Sequence, residues 1–319
     1  MPGEDFAEAV RISLGEVPDL PFLPELPVRG AIAQMTGRTL ALIPDLGFDL
    51  QPAGWRLTDA AGIDHRRARS LLAQDLDVLE EHAQARVGPL KIQLAGPWTL
   101  AATVERPRGD RILADVGARR EVAQGLAEGI TQHLADLRRR IPGAELVVQV
   151  DEPVLPAVLA ARIPTSSGFG RHRSVDPPRA SEALEWTFAA IAAGAATSVA
   201  HCCAAEVPVG LLRGAGAQGI SVDLDVLAAA GYDELGTAFD EGARVFLGVL
   251  PGTDPVRLPT SQQVAERVLR LFDMLGFDPD EVRSQLVLTP ACGLAGASPE
   301  YARTALTLVR DSAARLNEG

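Results

Sequence analysis

Residues 197–206, TSVAHCCAAE, close a run of small and β-branched residues with a histidine and two adjacent cysteines, and the third cysteine, Cys292, stands in LTPACGLAG. A disulfide, a redox pair, a metal site and ordinary core are the readings open to them. Three cysteines in 319 residues fit neither a disulfide framework nor an oxidising compartment, which leaves free thiols or metal ligands. Side chains alternate along a strand, so His201 and Cys203 point to one side and Cys202 to the other. With Cα atoms roughly 6.5–7 Å apart, His201 and Cys203 can converge on one ion, and Cys202 reads as a small core residue. Cys292 follows a later strand, and the adjacent glycine permits a tight approach. Asp223 in GISVDLD is a carboxylate candidate. Two thiolates, an imidazole and a carboxylate on neighbouring strand ends suit zinc.

The elements that must position these groups alternate. PLKIQLAG (89–96), ELVVQVDE (145–152), TSVAHC (197–202), GISVDL (219–224), RVFLGVL (244–250) and QLVLTP (285–290) are strand candidates, with a weaker one in GWRLTD (54–59). The stretches between them carry apolar residues at helical spacing. Such alternation implies a parallel sheet with right-handed crossovers, either doubly wound or closed. The chain lacks a Gly-rich phosphate turn after its first strand. Polar or reactive residues follow nearly every strand, in GPWT, DEP, HCC, DLD, PGTDP and PACG, and a closed ring brings such ends around one mouth. The expectation is therefore a single α/β domain over 1–319, a (β/α)8 TIM barrel with a missing or incomplete first strand. The leader VPDLPFLPELPVRG, within residues 1–50, is too rich in proline for a regular helix or central strand, and its apolar residues make it an ordered wrap over the barrel.

A net charge of -12 gives no support to nucleic-acid or anionic-membrane binding. The N-terminus carries acids where a secretory signal carries bases, and the longest weakly apolar run is too short to span a bilayer, so a cytoplasmic enzyme is expected. The histidines in IDHRR, EEHAQ, TQHLA and GRHRS (His65, His82, His133 and His172) have no partner at ligand spacing and read as solvated.

AHCC, ISVD, VDEPVL and TPACGL, in that order, resemble the catalytic half of cobalamin-independent methionine synthase, a zinc-containing (β/α) barrel, over most of the chain from about residue 90. The resemblance implies zinc as cofactor on His201, Cys203, Asp223 and Cys292. It also implies methyl transfer to the thiol of homocysteine and a contact between Asp151 and the homocysteine amino group. Glu152 and Trp98 are further candidates for substrate binding. Their bland readings are that Asp151 and Glu152 cap the following turn and that GPWT is a strand-to-helix turn with Thr99 as its cap. Zinc chemistry explains these residue types, because a free thiol is only a few per cent thiolate at neutral pH and a bound metal displaces its proton.

The departures from the family pattern are specific. Asp223 stands where the family has the longer Glu, which leaves a fourth position to water or to Asp225. Only Pro2 matches the family's G-S-x-P, and its H-G-E-type glutamate has no counterpart near QPAGWRLTD. After the seventh strand the family has a histidine proposed to protonate the folate nitrogen. GVLPGTDPVRLPT has none, and Asp254 would serve as that acid only with a raised pKa. These losses favour a methylated corrinoid protein over methyltetrahydrofolate as donor. Two competing expectations remain: a zinc-binding barrel without catalysis, and a metal-free barrel related to uroporphyrinogen decarboxylase, with Arg29 and Arg38 as substrate-binding candidates at its mouth.

Overall fold

Runs rich in β-branched residues make six strands that pair in sequence order, each parallel to the next: β3 Gly88–Ala95, β4 Ala144–Asp151, β5 Thr197–Cys202, β6 Gly219–Asp223, β7 Arg244–Leu250 and β8 Leu286–Pro290. They are preceded by an antiparallel hairpin, β1 Gly47–Gln51 with β2 Gly54–Thr58. This is a computed structural model; it describes residues 1–318, with the side chains of 1–317. The helices are α1 Phe6–Glu16, α2 Met35–Leu40, α3 Ile63–Ala83, α4 Pro97–Thr103, α5 Val116–Arg140, α6 Leu155–Leu159, α7 Pro177–Ala193, α8 Val209–Gly214, α9 Ala229–Asp240, α10 Ser261–Leu275, α11 Pro279–Val282 and α12 Pro299–Glu318.

The six parallel strands form a curled half-barrel and not the expected ring of eight. The weak strand at 54–59 is spent in the hairpin, outside the parallel sheet. Its neighbour β1 was not among the expected strands. The proline-rich leader supplies one short parallel contact beside β3, where Lys91 N–H donates to Pro21 O and Leu23 N–H to Lys91 O, both at 2.8 Å. Pro21 and Pro24 have no N–H to give, so the pairing stops there.

Register explains which side chains face inward. Partners in a parallel pair share a face: Gln149 pairs with Val199, Asp151 with His201 and then Ser221 and Phe246, and Asp223 with Gly248 and then Thr289, all on one face across β4 to β8. Low in the sheet that face is apolar: Val147, Val199 and Phe246 pack together with Leu20 of the leader and Val287. The opposite face packs on the helices in a separate and larger apolar cluster, which includes Cys202, fully buried.

Two sequence expectations are corrected by burial. His65, His133 and His172 are buried and not solvated. His65 Nε2 lies 2.9 Å from Leu40 O and its ring meets the edge of Phe48, while His172 Nε2 lies 3.0 Å from Asp110 Oδ1. Arg29 and Arg38, considered as mouth residues of a decarboxylase, both pair with the buried carboxylate of Asp75. They tie the leader to α3. A buried carboxylate needs such partners, because leaving it unpaired costs several kcal/mol, on the order of 3–5.

Candidate metal centre

His201 is the fifth residue of β5, and the strand's alternation aims it inward beside Asp151 of β4 and Ser221 of β6, its partners in register. The Ser221 hydroxyl lies 3.0 Å from His201 Nδ1 and so fixes the ring. Cys203 lies one residue past β5 and Cys292 two past β8. The connection carrying Cys292 comes close over β7 because residue 248 is glycine: a Cβ there would lie 2.5 Å from Ala291 Cα. One ring nitrogen of His201 and the two sulfurs lie within 4.8 Å of one another. The sulfurs are 3.8 Å apart. A disulfide needs about 2.05 Å. Two sulfurs each about 2.3 Å from one tetrahedral ion lie about 3.8 Å apart, so the pair is spaced as thiolates sharing a zinc ion would be.

The electrostatics within the cluster are one-sided. Cys292 accepts the Cys203 hydrogen bond and lies against His201, and both hold its thiol well below the ordinary range. Donating that bond, then burial, pushes Cys203 up. Burial opposes charge on His201, but contact with Cys292 and the nearby Asp151 outweigh it and raise its pKa. Burial also raises Asp151, with His201, Lys91 and Gln149 pulling the other way; Gln149 Nε2 donates to Asp151 Oδ1 at 2.7 Å. Below it, Lys91 Nζ reaches Gln149 Oε1 at 3.1 Å.

The remaining site candidates stand elsewhere. Asp223, half-buried, is outside the His/Cys/Cys group; its Oδ1 accepts the Asp225 N–H at 2.9 Å, while Asp225 pairs with Arg267 at 2.6 Å. Thus neither aspartate lies within the His/Cys/Cys group in this structure. Glu152 is fully buried and accepts from Trp98 N, Thr99 N and Thr99 Oγ1, each at 2.8 Å. It therefore caps α4, in place of Thr99, and burial pushes its pKa to about 7. Gly96 makes room, since a Cβ there would lie 2.3 Å from Glu152 Oε1. Trp98 is buried, its Nε1 donating to Ala180 O at 2.9 Å, so the indole nitrogen faces α7. Asp254 was an acid candidate only on condition of a raised pKa, and its pKa is lowered. It is fully exposed, accepts from Ser298 N at 2.7 Å and Ser298 Oγ at 2.6 Å, and is held below the ordinary carboxylate range by those bonds.

Sequence reasoning passed over Ser221 and Gln149. Both were within its reach, because each stands two residues before a residue it did single out, Asp223 and Asp151, and so shares its face.

The parallel α/β sheet gathers at its carboxyl edge a His/Cys/Cys set that could hold a soft metal ion. The catalytic-domain model of the cobalamin-independent synthase family matches residues 75–315, and the chain belongs to that family. The family is one of methionine synthase-like methyltransferases, metal-dependent in general, acting on homocysteine and a methyl donor. No curated protein matches. Among solved structures, the crystal structure of an uncharacterized protein is similar at 12% identity and TM-score 0.27 over 60% of this chain and 48% of its own. The carboxyl transferase domain of Rhizobium etli pyruvate carboxylase is similar at 15% identity and TM-score 0.26 over 71% of this chain and 41% of its own. The chain spans less than half the length of either, and neither bears on the chemistry of the site. No described helix is long and apolar enough to cross a membrane.

Proposed function

We propose that the chain is a zinc-dependent thiol methyltransferase that converts homocysteine to methionine, taking the methyl group from a methylated corrinoid protein and not from methyltetrahydrofolate. The observation that carries this reading is the meeting of His201, Cys203 and Cys292, from separate segments, with Asp151 the register partner of His201. These three residues fit a soft divalent ion in donor type and in sulfur spacing, and would hold it. Zinc bound there supplies an electrophile that favours the thiolate form of a substrate thiol at neutral pH.

The chain's own groups do the positioning. Asp151, buried and oriented by Gln149, would pair with the ammonium of an amino-thiol. Ser221 keeps the His201 ring from turning, which holds the ligand set ready and spares its reorganisation on binding. Glu152 stays on the scaffold side, fixing the start of α4. The donor follows from Asp254. Folate's neutral nitrogen is a poor leaving group without a proton, and the carboxyl after β7 is an exposed, hydrogen-bonded carboxylate with its pKa lowered, ill-suited to donating one. A methyl-corrinoid gives up its methyl group without a proton to the leaving cobalt.

The test is metal analysis of the purified chain, followed by homocysteine with three donors: a methylated corrinoid protein, free methylcobalamin and methyltetrahydrofolate. Zinc at one per chain with methionine from either corrinoid is the expected result. Methionine from the folate alone would overturn the donor assignment. Zinc and homocysteine binding without turnover from any donor would leave a binding protein.

A further inference from the structure

Two of the loops beside the site are built unlike the rest of this acidic chain. The segments 105–120, after β3, and 162–179, after β4, together hold nine arginines and four acidic residues, whereas the whole chain has 30 basic and 42 acidic residues. They form one surface. Asp110 of the first accepts Ser166 N at 3.0 Å and Ser166 Oγ at 3.2 Å, and lies 3.0 Å from the His172 ring of the second. Burial, and then the charge of the nearby Arg179, lower the pKa of Arg119. Arg162 pairs with Glu206, three residues beyond Cys203, so the basic surface is continuous with the loop that holds a candidate ligand.

Five of the nine arginines are engaged within the fold, by Asp115, Thr103 O, Trp98, Trp186 and Glu206, and four are not. Arg108, Arg171, Arg173 and Arg179 are exposed, and none has an acidic partner within 4.0 Å among the described residues. Between them projects Phe169, wholly exposed, carried by a turn with Gly168 in the left-handed region at φ +74°. The same rim carries Val116, Val226, Val256 and Leu258, so five of the ten exposed large apolar side chains stand on the strand-end connections around the site. An exposed aromatic on segments that also carry exposed arginines has the composition of a protein-binding hot spot. A projecting ring also fits a pocket on a partner better than it encloses a small ligand.

We propose that this arginine-and-phenylalanine rim is the docking face for a protein partner with an acidic surface, which covers the open side of the His201/Cys203/Cys292 cluster. On a body of net charge -12, one basic face also orients the encounter, since an acidic partner is repelled everywhere else. That the partner carries the methyl group rests on the function proposed above; the docking face itself does not.

Binding of fluorescent poly-L-glutamate to the full zinc-loaded chain, measured by anisotropy at low and at physiological salt, tests the face without requiring turnover. The wild type should bind, more weakly as salt rises. The combined change Arg108→Glu, Arg171→Glu and Arg173→Glu should weaken binding roughly tenfold or more at low salt, on the scale of electrostatic steering. Arg139→Glu, Arg244→Glu and Arg270→Glu, placed away from this face, should leave it nearly unchanged. No binding by the wild type, or equal losses in the two variants, would overturn the proposal. Tighter, equally Arg-dependent binding of a DNA duplex would also overturn it, in favour of a phosphate-bearing partner. Methyl transfer from free methylcobalamin, assayed in parallel, should be the same in the rim variant and the wild type. Its absence in both would count against the proposed function and leave the docking result standing.

Discussion

Replacing Glu152 separates a scaffold carboxylate from a substrate ligand. Its oxygens take the Trp98 and Thr99 amide protons and the Thr99 hydroxyl, all at 2.8 Å, in a fully buried position. In Glu152→Ala the hydroxyl can turn elsewhere, but two backbone donors at the start of α4 remain buried and unpaired. At about 1–3 kcal/mol each, the expected loss is about 2–6 kcal/mol, a large part of the stability of an ordinary domain. Glu152→Gln keeps one acceptor oxygen and should lose about half as much. Urea unfolding followed by circular dichroism gives the loss, and calorimetric titration of the zinc form with homocysteine gives the affinity. The pH dependence has a definite sign. A carboxyl raised to about 7 favours the folded state below its unfolded pKa of about 4.3 and loses that advantage as pH rises to about 7. Glu152→Gln should remove that part of the pH profile. Unchanged stability combined with lost homocysteine affinity would refute the scaffold assignment and return Glu152 to the substrate.

Three other outcomes are expected. Ser221→Ala should weaken zinc binding about 10–100-fold, the usual cost of losing an outer partner of a metal-bound histidine, with the thiol count unchanged in a chromogenic titration. Asp151→Asn should keep its zinc and bind homocysteine poorly while binding a simple alkanethiol as before; equal affinities for both thiols would remove the ammonium contact. His133, buried and lowered to about 4, must charge on acid unfolding. Stability present above pH 6.5 should be lost progressively down to about pH 4, by about 3 kcal/mol in all, and His133→Gln should flatten that window.

The parallel strands were legible because each is a short β-branched run bounded by polar residues, and their ends fall within a residue or so of the expected positions. Strand phase was equally legible: alternation put Cys202 on the helix-packed face, where it is fully buried. What local pattern could not supply was partnership across the chain. His65 reads as a solvated helix residue until Leu40, 25 residues earlier, takes its ring nitrogen. The anchor of the Trp98 indole, Ala180, lies 82 residues away and leaves no trace in the local GPWT pattern. Asp223 shows a different limit. Alternation sends it inward, but its short side chain finds the amide of Asp225 first, a local bond that competes with any ligand role. The closed ring failed for a similar reason, since the leader's prolines withhold the donors that a further strand would need.

Three side chains sharing one ion carry the proposed chemistry, and zinc affinity measured against a competing chelator reports on that directly. The wild type and Cys202→Ala should each bind one zinc per chain with similar affinity, while His201→Ala, Cys203→Ala and Cys292→Ala should each fail to hold it. A wild type that takes up no zinc, or a Cys202→Ala variant as impaired as Cys203→Ala, would contradict it.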